Sequence, residues 1–198
     1  MDHFVIRQVH KDEYEILRKL DRDAFGYNER GSNAVLHEVF ADNIRRSPDY
    51  IPELDLAAVT DNGLTYLGHA IFSALPMGDH GEHIVWLNSL AVRHGENDSH
   101  TKKSYEFQRK GIGTALVMHG LDIAKSLGYT GCMTCGNPAV YREKMGFLDC
   151  RALGVGRDGS VDVPEGSLFA MELTPDGFSN TNKQLSFSYY DFTKTKQN

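Results

Sequence analysis

The run Gln108-Arg109-Lys110-Gly111-Ile112-Gly113, with Thr114 directly behind it, has the composition of an anion site. Two glycines separated by one residue let the backbone turn tightly and bring its N–H groups close to a ligand with no Cβ in the way. The amphipathic run from Thr114 to Leu127 predicts a helix starting at that turn. Its unpaired first-turn N–H groups and the positive end of its dipole would face the same ligand. A concave set of donors of this kind suits a pyrophosphate. Arg109 and Lys110 add positive charge beside it. Gly-x-Gly alone also describes an ordinary strand-to-helix turn, so the neighbouring elements decide between the two readings.

Upstream, Ile84 to Val92 reads as a strand, and its nearly continuous apolar second half predicts cover on both faces. Downstream, Gly131 to Cys135 reads as another strand, followed by Asn137-Pro138-Ala139-Val140-Tyr141 and then Gly146-Phe147. This order of strand, glycine loop, helix, strand, then Asn and Tyr ahead of Gly-Phe, resembles the GNAT superfamily of acetyl-CoA-dependent N-acetyltransferases. The family's loop pattern, Gln/Arg-x-x-Gly-x-Gly/Ala, is met by Gln108, Gly111 and Gly113. The resemblance spans Leu87 to Phe147. It points to the subgroup with Leu-x-x-Leu-Ala-Val in the strand and Gly-Asp/Asn-Pro-Ala before the tyrosine.

The resemblance implies an α/β (α+β) fold: a central mixed, mostly antiparallel sheet with a splayed parallel strand pair, flanked by helices. It implies acetyl-CoA as cosubstrate, with no metal. Backbone groups of Leu90, Ala91 and Val92 would bond the pantetheine arm as if it were another strand. The loop Gln108, Arg109, Lys110, Gly111, Ile112 and Gly113, with Thr114, would hold the pyrophosphate. Asn137 either contacts the cofactor through its side chain or serves the turn before Pro138. Tyr141 is the candidate acid toward the thioester sulfur, set against a role in packing its helix on the sheet. The family's tyrosine lies four residues before the glycine, whereas Tyr141 lies five before Gly146, with Arg142 in the expected place. Either the helix carries an extra residue, as a bulge would supply, or the acid is missing. Trp86 stands where some relatives carry a catalytic glutamate. Glu82 and His83 read as solvated loop residues within reach through water, so the general base is left unassigned.

Two other sets of residues invite chemistry. His94, Glu96, Asp98 and His100 lie in a long polar link, Arg93 to Phe107, but no rigid element holds them as metal ligands, and a solvated loop is expected. Cys132-Met133-Thr134-Cys135 falls on a strand, where positions i and i+3 face opposite sides. A zinc site lacks its further ligands, so buried structural cysteines are expected.

The 198 residues suffice for one domain with its own core, 1–198, its motif region at 84–147 and its polar insertion at 93–107. A net charge of −6 argues against general nucleic-acid binding. The three cysteines suggest no disulfide framework, and no apolar stretch reaches the ~18 residues of a membrane span. Met1-Asp2-His3-Phe4 does not open a signal peptide, so a soluble cytoplasmic chain is expected, meeting an amine acceptor and no nucleic acid or membrane. A homodimer is compatible with it.

The elements that must carry the loop are legible as well. Phe4 to Arg7 reads as a short strand. A helix from Lys11 follows, with Tyr14, Leu17, Leu20 and Ala24 at helical spacing. Ser32-Asn33 caps a second helix with Val35, Leu36, Val39, Phe40 and Ile44 as its stripe, ended by Ser47-Pro48 and Pro52. Leu54 to Thr60 and Leu64 to Leu75 flank Asp61-Asn62-Gly63 as a hairpin. Leu168 to Leu173 and Gln184 to Tyr190 read as late strands, with a frayed tail from Lys194.

These features favour an enzyme that transfers acetyl from acetyl-CoA to a primary amine of a small molecule or protein by direct attack. The alternative is a non-catalytic acyl-CoA sensor. A third, weaker reading assigns the loop to another nucleotide.

Overall fold

Alternation of apolar residues makes a sheet the frame of the molecule, and the computed structural model describes residues 3–26, 33–75, 83–94, 107, 109–157, 166–179 and 184–185. The strands are β1 (Phe4–Gln8), β2 (Tyr50–Thr60), β3 (Tyr66–Leu75), β4 (Ile84–Val92), β5 (Gly131–Cys135), β6 (Leu148–Asp149), β7 (Gly156–Arg157), β8 (Leu168–Glu172) and β9 (Gln184–Leu185). The helices are α1 (Tyr14–Gly26), α2 (Asn33–Arg45), α3 (Ile112–Ser126) and α4 (Pro138–Tyr141). Seven strands form one sheet in the order β1-β2-β3-β4-β5-β8-β6, and β7 and β9 form a second, parallel pair. The large sheet is mostly antiparallel, with β4 and β5 its parallel pair, as the family resemblance implies.

The chain divides into two compact units. The first comprises Met1–Ser47, Pro52–Ile71 and Ser89–Gly120. Its α1 opens with one 3-10 turn, where the His10 backbone N–H donates to the Glu13 carboxylate at 2.7 Å. The helical spacing of Tyr14, Leu17, Leu20 and Ala24 then makes one buried stripe. Leu17 packs with Val9, Ala57 and Val59. Leu20 and Ala24 pack with Ala91 of β4, and Tyr66 and Phe25 join them. The turn between β2 and β3 is the expected one. Gly63 takes a positive φ of 71°, and Asn62 Oδ1 accepts from Leu64 N–H at 3.0 Å.

The second unit comprises Pro48–Ile51, Phe72–Asn88 and Leu121–Asn198. Its core gathers Leu75, Ile84, Trp86, Met133, Cys150, Val155, Ala170 and Phe178. β5 pairs along its whole length with β8, from Gly131↔Glu172 to Cys135↔Leu168.

Several expectations need correction. Pro52 does not end a helix: α2 stops at Arg45 and Pro52 lies inside β2, which begins at Tyr50. β1 pairs only with Leu56 to Thr60, so a missing N–H at Pro52 breaks no bond of that ladder. Helix α3 begins at Ile112, taking Gly113 into its first turn, and ends at Ser126 ahead of Gly128, which has φ 92°. β8 stops at Glu172, one residue short of Leu173. Cys132 and Cys150 are buried, but Cys135, the last residue of β5, is exposed. Ser32, the side chains of Val35 and Leu36, and residues 186–198 lie outside the description.

Candidate functional site

The glycine loop sits in the first unit. Arg109 and Gly111 both take left-handed backbone, at φ 60° and 83°. A Cβ placed on Gly111 would meet nothing within 4 Å among the described residues, and its left-handed backbone is what asks for glycine there. The Gly111 carbonyl accepts the first bond of α3, from Ala115 N–H at 2.8 Å. The N–H groups of Ile112, Gly113 and Thr114 precede that bond and so have no partner within their own helix. They form the first turn of a 15-residue helix, flanked by exposed Arg109 and Lys110. The composition predicts this set of donors, and it fits an anionic phosphate group. Gln108 lies outside the described residues.

Close packing of this turn on β4 locates Leu90, Ala91 and Val92. A Cβ on Gly113 would lie 3.3 Å from the Val92 side chain and 3.6 Å from that of Leu90. The Ile112 side chain is buried, so only its backbone faces outward chemistry. On the neighbouring strand, a Cβ on Gly68 would lie 2.8 Å from Leu116, 3.0 Å from the Ala91 carbonyl and 3.2 Å from Ile112. Gly68 thus lets β3, β4 and α3 meet, and Arg93 N–H closes the strand end by donating to the Leu67 carbonyl at 2.9 Å.

The second unit holds the proton-donor candidate. The parallel ladder runs from Ile84↔Gly131 to Trp86↔Met133, while β4 continues to Val92. One residue past that ladder the Thr134 hydroxyl donates to the Leu87 carbonyl at 3.2 Å. Tyr141 is buried, its ring edge-on to Phe147 at 5.8 Å and tilted against Phe169 at 6.1 Å. Burial pushes its phenol up to about 12, against a smaller opposite effect of hydrogen bonding to Thr134. The phenol is therefore protonated at neutral pH.

The extra residue between Tyr141 and Gly146 is held in a wide turn. Glu143 N–H reaches back five residues to the Pro138 carbonyl at 3.2 Å, and Phe147 N–H donates to the Tyr141 carbonyl at 3.0 Å. Tyr141 is turned inward, whereas Arg142, in the family's tyrosine position, is exposed. Asn137 caps α4: its Oδ1 accepts from Ala139 N–H at 2.9 Å.

Other candidates are dispersed. Trp86 is buried in the core, and His83 is exposed ahead of β4. His94 Nε2 lies 3.4 Å from the Ala24 carbonyl, and the Arg93 guanidinium stands 6.0 Å from the Phe107 ring. Glu82, Glu96, Asp98 and His100 lie outside the described residues. Among the described residues no group of three or more His, Cys, Asp or Glu could hold a metal ion, and no helix is long and apolar enough to cross a membrane.

Gly68 and Thr134 are site neighbours that the motif reading missed. Neither belongs to a spacing pattern. The one signal for Gly68 is a glycine inside an apolar strand, which marks close backbone approach.

The profile of the acetyltransferase (GNAT) family matches residues 16–147. A GNAT family N-acetyltransferase from Escherichia coli, YhbS, solved in complex with CoA, superposes with a TM-score of 0.74 at 19% identity, covering 96% of this chain and 93% of that one. A GNAT family acetyltransferase from Brucella melitensis, in complex with acetyl-CoA, gives 0.64 at 23% identity, with 89% and 92% covered. The ribosomal-protein-S18-alanine N-acetyltransferase of Escherichia coli gives 0.55 at 15% identity, with 87% and 95% covered. At these identities the likeness is one of fold. A search of curated sequences gives no match.

Proposed function

The chain belongs to the GNAT family of acetyltransferases, and from that premise we propose that it moves an acetyl group from acetyl-CoA to a primary amine of a small molecule or protein, by direct attack with both substrates bound. The observation that carries the proposal is the turn at Gly111. Left-handed backbone there opens onto the first-turn N–H groups of α3 beside two exposed cations.

Each candidate residue then has a role that its surroundings suit. Ile112, Gly113 and Thr114 offer main-chain donors to the diphosphate of the coenzyme, and Arg109 and Lys110 offset its charge. Gln108 joins them by the loop pattern. Leu90, Ala91 and Val92 offer strand backbone to the pantetheine arm. Acetyl-CoA supplies the activated acyl group. In acyl transfer the acceptor nitrogen bonds the carbonyl carbon, the carbon–sulfur bond breaks, a proton leaves nitrogen and the sulfur gains one. Tyr141, protonated at neutral pH, is proposed to donate to the sulfur; with so weak an acid the contribution is mainly a hydrogen bond to developing thiolate charge. Asn137 acts by capping the helix that carries Tyr141, with any contact to the coenzyme secondary. The whole chain is treated as one catalytic domain, working without metal in the cytoplasm on an amine acceptor, as a monomer or homodimer.

Thiol release from acetyl-CoA over a panel of primary amines tests the proposal. Amine-dependent release supports it. Tight CoA binding with no turnover on any amine would favour the acyl-CoA sensor instead, a reading kept alive by the shifted spacing of Tyr141 and by Trp86 in the place of a catalytic glutamate.

A further inference from the structure

The interior of the first unit contains a charged cluster to which the proposed function assigns no role. His69, in the middle of β3, is fully buried, and so are Asp21 and Asp55. His69 Nδ1 lies 2.9 Å from both oxygens of Asp21 on α1, and Nε2 lies 2.8 Å from Oδ1 of Asp55 on β2. From α2, Arg45 donates to Asp55 through Nε at 2.8 Å and Nη2 at 3.2 Å, with Nη2 3.4 Å from His69 Nε2. Arg45 also reaches Asp42 at 3.2 Å, Arg18 of α1 pairs with Asp42, and the Arg45 guanidinium lies 3.9 Å over the Tyr14 ring.

An ionised carboxylate only accepts hydrogen bonds, so an imidazole with a carboxylate at each nitrogen satisfies both when both nitrogens carry protons. Three aspartates then face Arg18, Arg45 and a charged His69, and the cluster is neutral. Losing the His69 proton leaves an uncompensated negative charge in the interior and one nitrogen lone pair against a carboxylate. Burial on its own favours neutral imidazole, but the two aspartates outweigh it and raise His69 to about 9.

Both arms of this cluster end beside Ala91. Asp21 follows Leu20, which packs with Ala24 on Ala91. His69 follows Gly68, whose Cα is close enough to Ala91 that a Cβ would stand 3.0 Å from its carbonyl. We propose that protonated His69, clamped between Asp21 and Asp55, is a positioning residue for the coenzyme-binding end of β4, and that its deprotonation loosens Leu90–Val92 and weakens coenzyme binding. This rests on the reading that Leu90–Val92 hold CoA. It has a kinetic consequence: acceptor amines react in their neutral form, so raising the pH helps the amine while releasing the clamp.

Two measurements on the whole chain test it. The first is an NMR titration of nitrogen-15 histidine-labelled protein. His69 should show two protonated nitrogens at neutral pH and a single transition in the alkaline range. The second is calorimetric binding of the methyl thioether of CoA, which has no ionisable thiol, to wild type and Asp21→Asn from pH 7 to 10. Wild-type affinity should hold to about pH 8 and then fall about tenfold per pH unit beyond the His69 transition. In Asp21→Asn both transitions should move together to lower pH by a unit or more. A neutral His69 at pH 7.5, or an affinity break unmoved in Asp21→Asn, overturns the proposal. Should that variant not fold, the wild-type data decide alone: transitions a unit or more apart overturn it, and coincident ones support it. No binding of the thioether at any pH refutes the CoA reading and the positioning role with it, while the titration still reports the clamp's charge by itself.

Discussion

Replacing Gly111 by aspartate should abolish most CoA binding while leaving a folded protein, and the two effects can be sized separately. The backbone at Gly111 has φ 83°, and a residue with a Cβ costs roughly 1–2 kcal/mol in that region, aspartate being among the better tolerated. Among the described residues nothing lies within 4 Å of the new Cβ, so they add no steric cost. The fold should therefore lose only about 1 kcal/mol. A carboxylate ~4 Å from a phosphate charge is repelled by about 1 kcal/mol in water and about 4 kcal/mol near a protein surface of effective dielectric ~20. The loop is exposed, so a middle value of ~2 kcal/mol is appropriate, or ~30-fold in affinity. Gly111→Ala carries the same backbone cost without the charge and should lose less than ~5-fold. Calorimetry with CoA, alongside thermal melting, separates the two, and the gap between the variants should narrow as salt rises. A folded Gly111→Asp protein that binds CoA as tightly as Gly111→Ala would refute the reasoning, since the diphosphate would then lie elsewhere.

Three further outcomes are expected. Tyr141→Phe keeps the ring contacts with Phe147 and Phe169 and should lower turnover by ~100-fold with CoA affinity within ~2-fold, as steady-state kinetics and calorimetry would reveal; equal turnover removes the phenol from the mechanism. Gly68→Ala forces a Cβ toward Leu116 at 2.8 Å and the Ala91 carbonyl at 3.0 Å, and should cost ~1–3 kcal/mol in urea unfolding. Stability should also fall at both pH extremes. His69 is raised from 6.5 to about 9, so its contribution is complete below pH 6.5 and is lost as pH climbs to about 9, on the order of 3 kcal/mol. Asp55 and Glu13, each lowered to about 2 and supported by His69, Arg45 and Arg7, contribute above pH 4.5 and lose that contribution as pH falls toward 2. Urea midpoints measured from pH 2 to 10 would contradict this if flat between 6.5 and 9.

Much of the glycine loop, α3 and α4 was legible in the chain because their signals are local. Gly111 and Gly113 ahead of an amphipathic run, Gly128 behind it, and the Asn137-Pro138 start of α4 each act through their own backbone or through neighbours within one helical turn. Spacing also exposed the extra residue after Tyr141. What spacing could not say is that a bond from Glu143 back to Pro138 takes up the slack and leaves Tyr141 inward and Arg142 outward. Pro52 misled for a similar reason: proline ends helices by local rule, but its tolerance in β2 depends on where β1 stops pairing.

The sequence by itself determined the glycine turn, the helix behind it and the strands on either side, since those follow from φ freedom, capping and hydrophobic period. Only the tertiary structure decided the charge state of the interior. Asp21 and Asp55 lie 48 and 14 residues from His69 in the chain, and nothing in local composition announces that they converge on one ring. A lone histidine in an apolar strand reads as a filler of the core. Folding instead sets a carboxylate against each of its ring nitrogens, and those two charges outweigh the cost of burying an imidazolium.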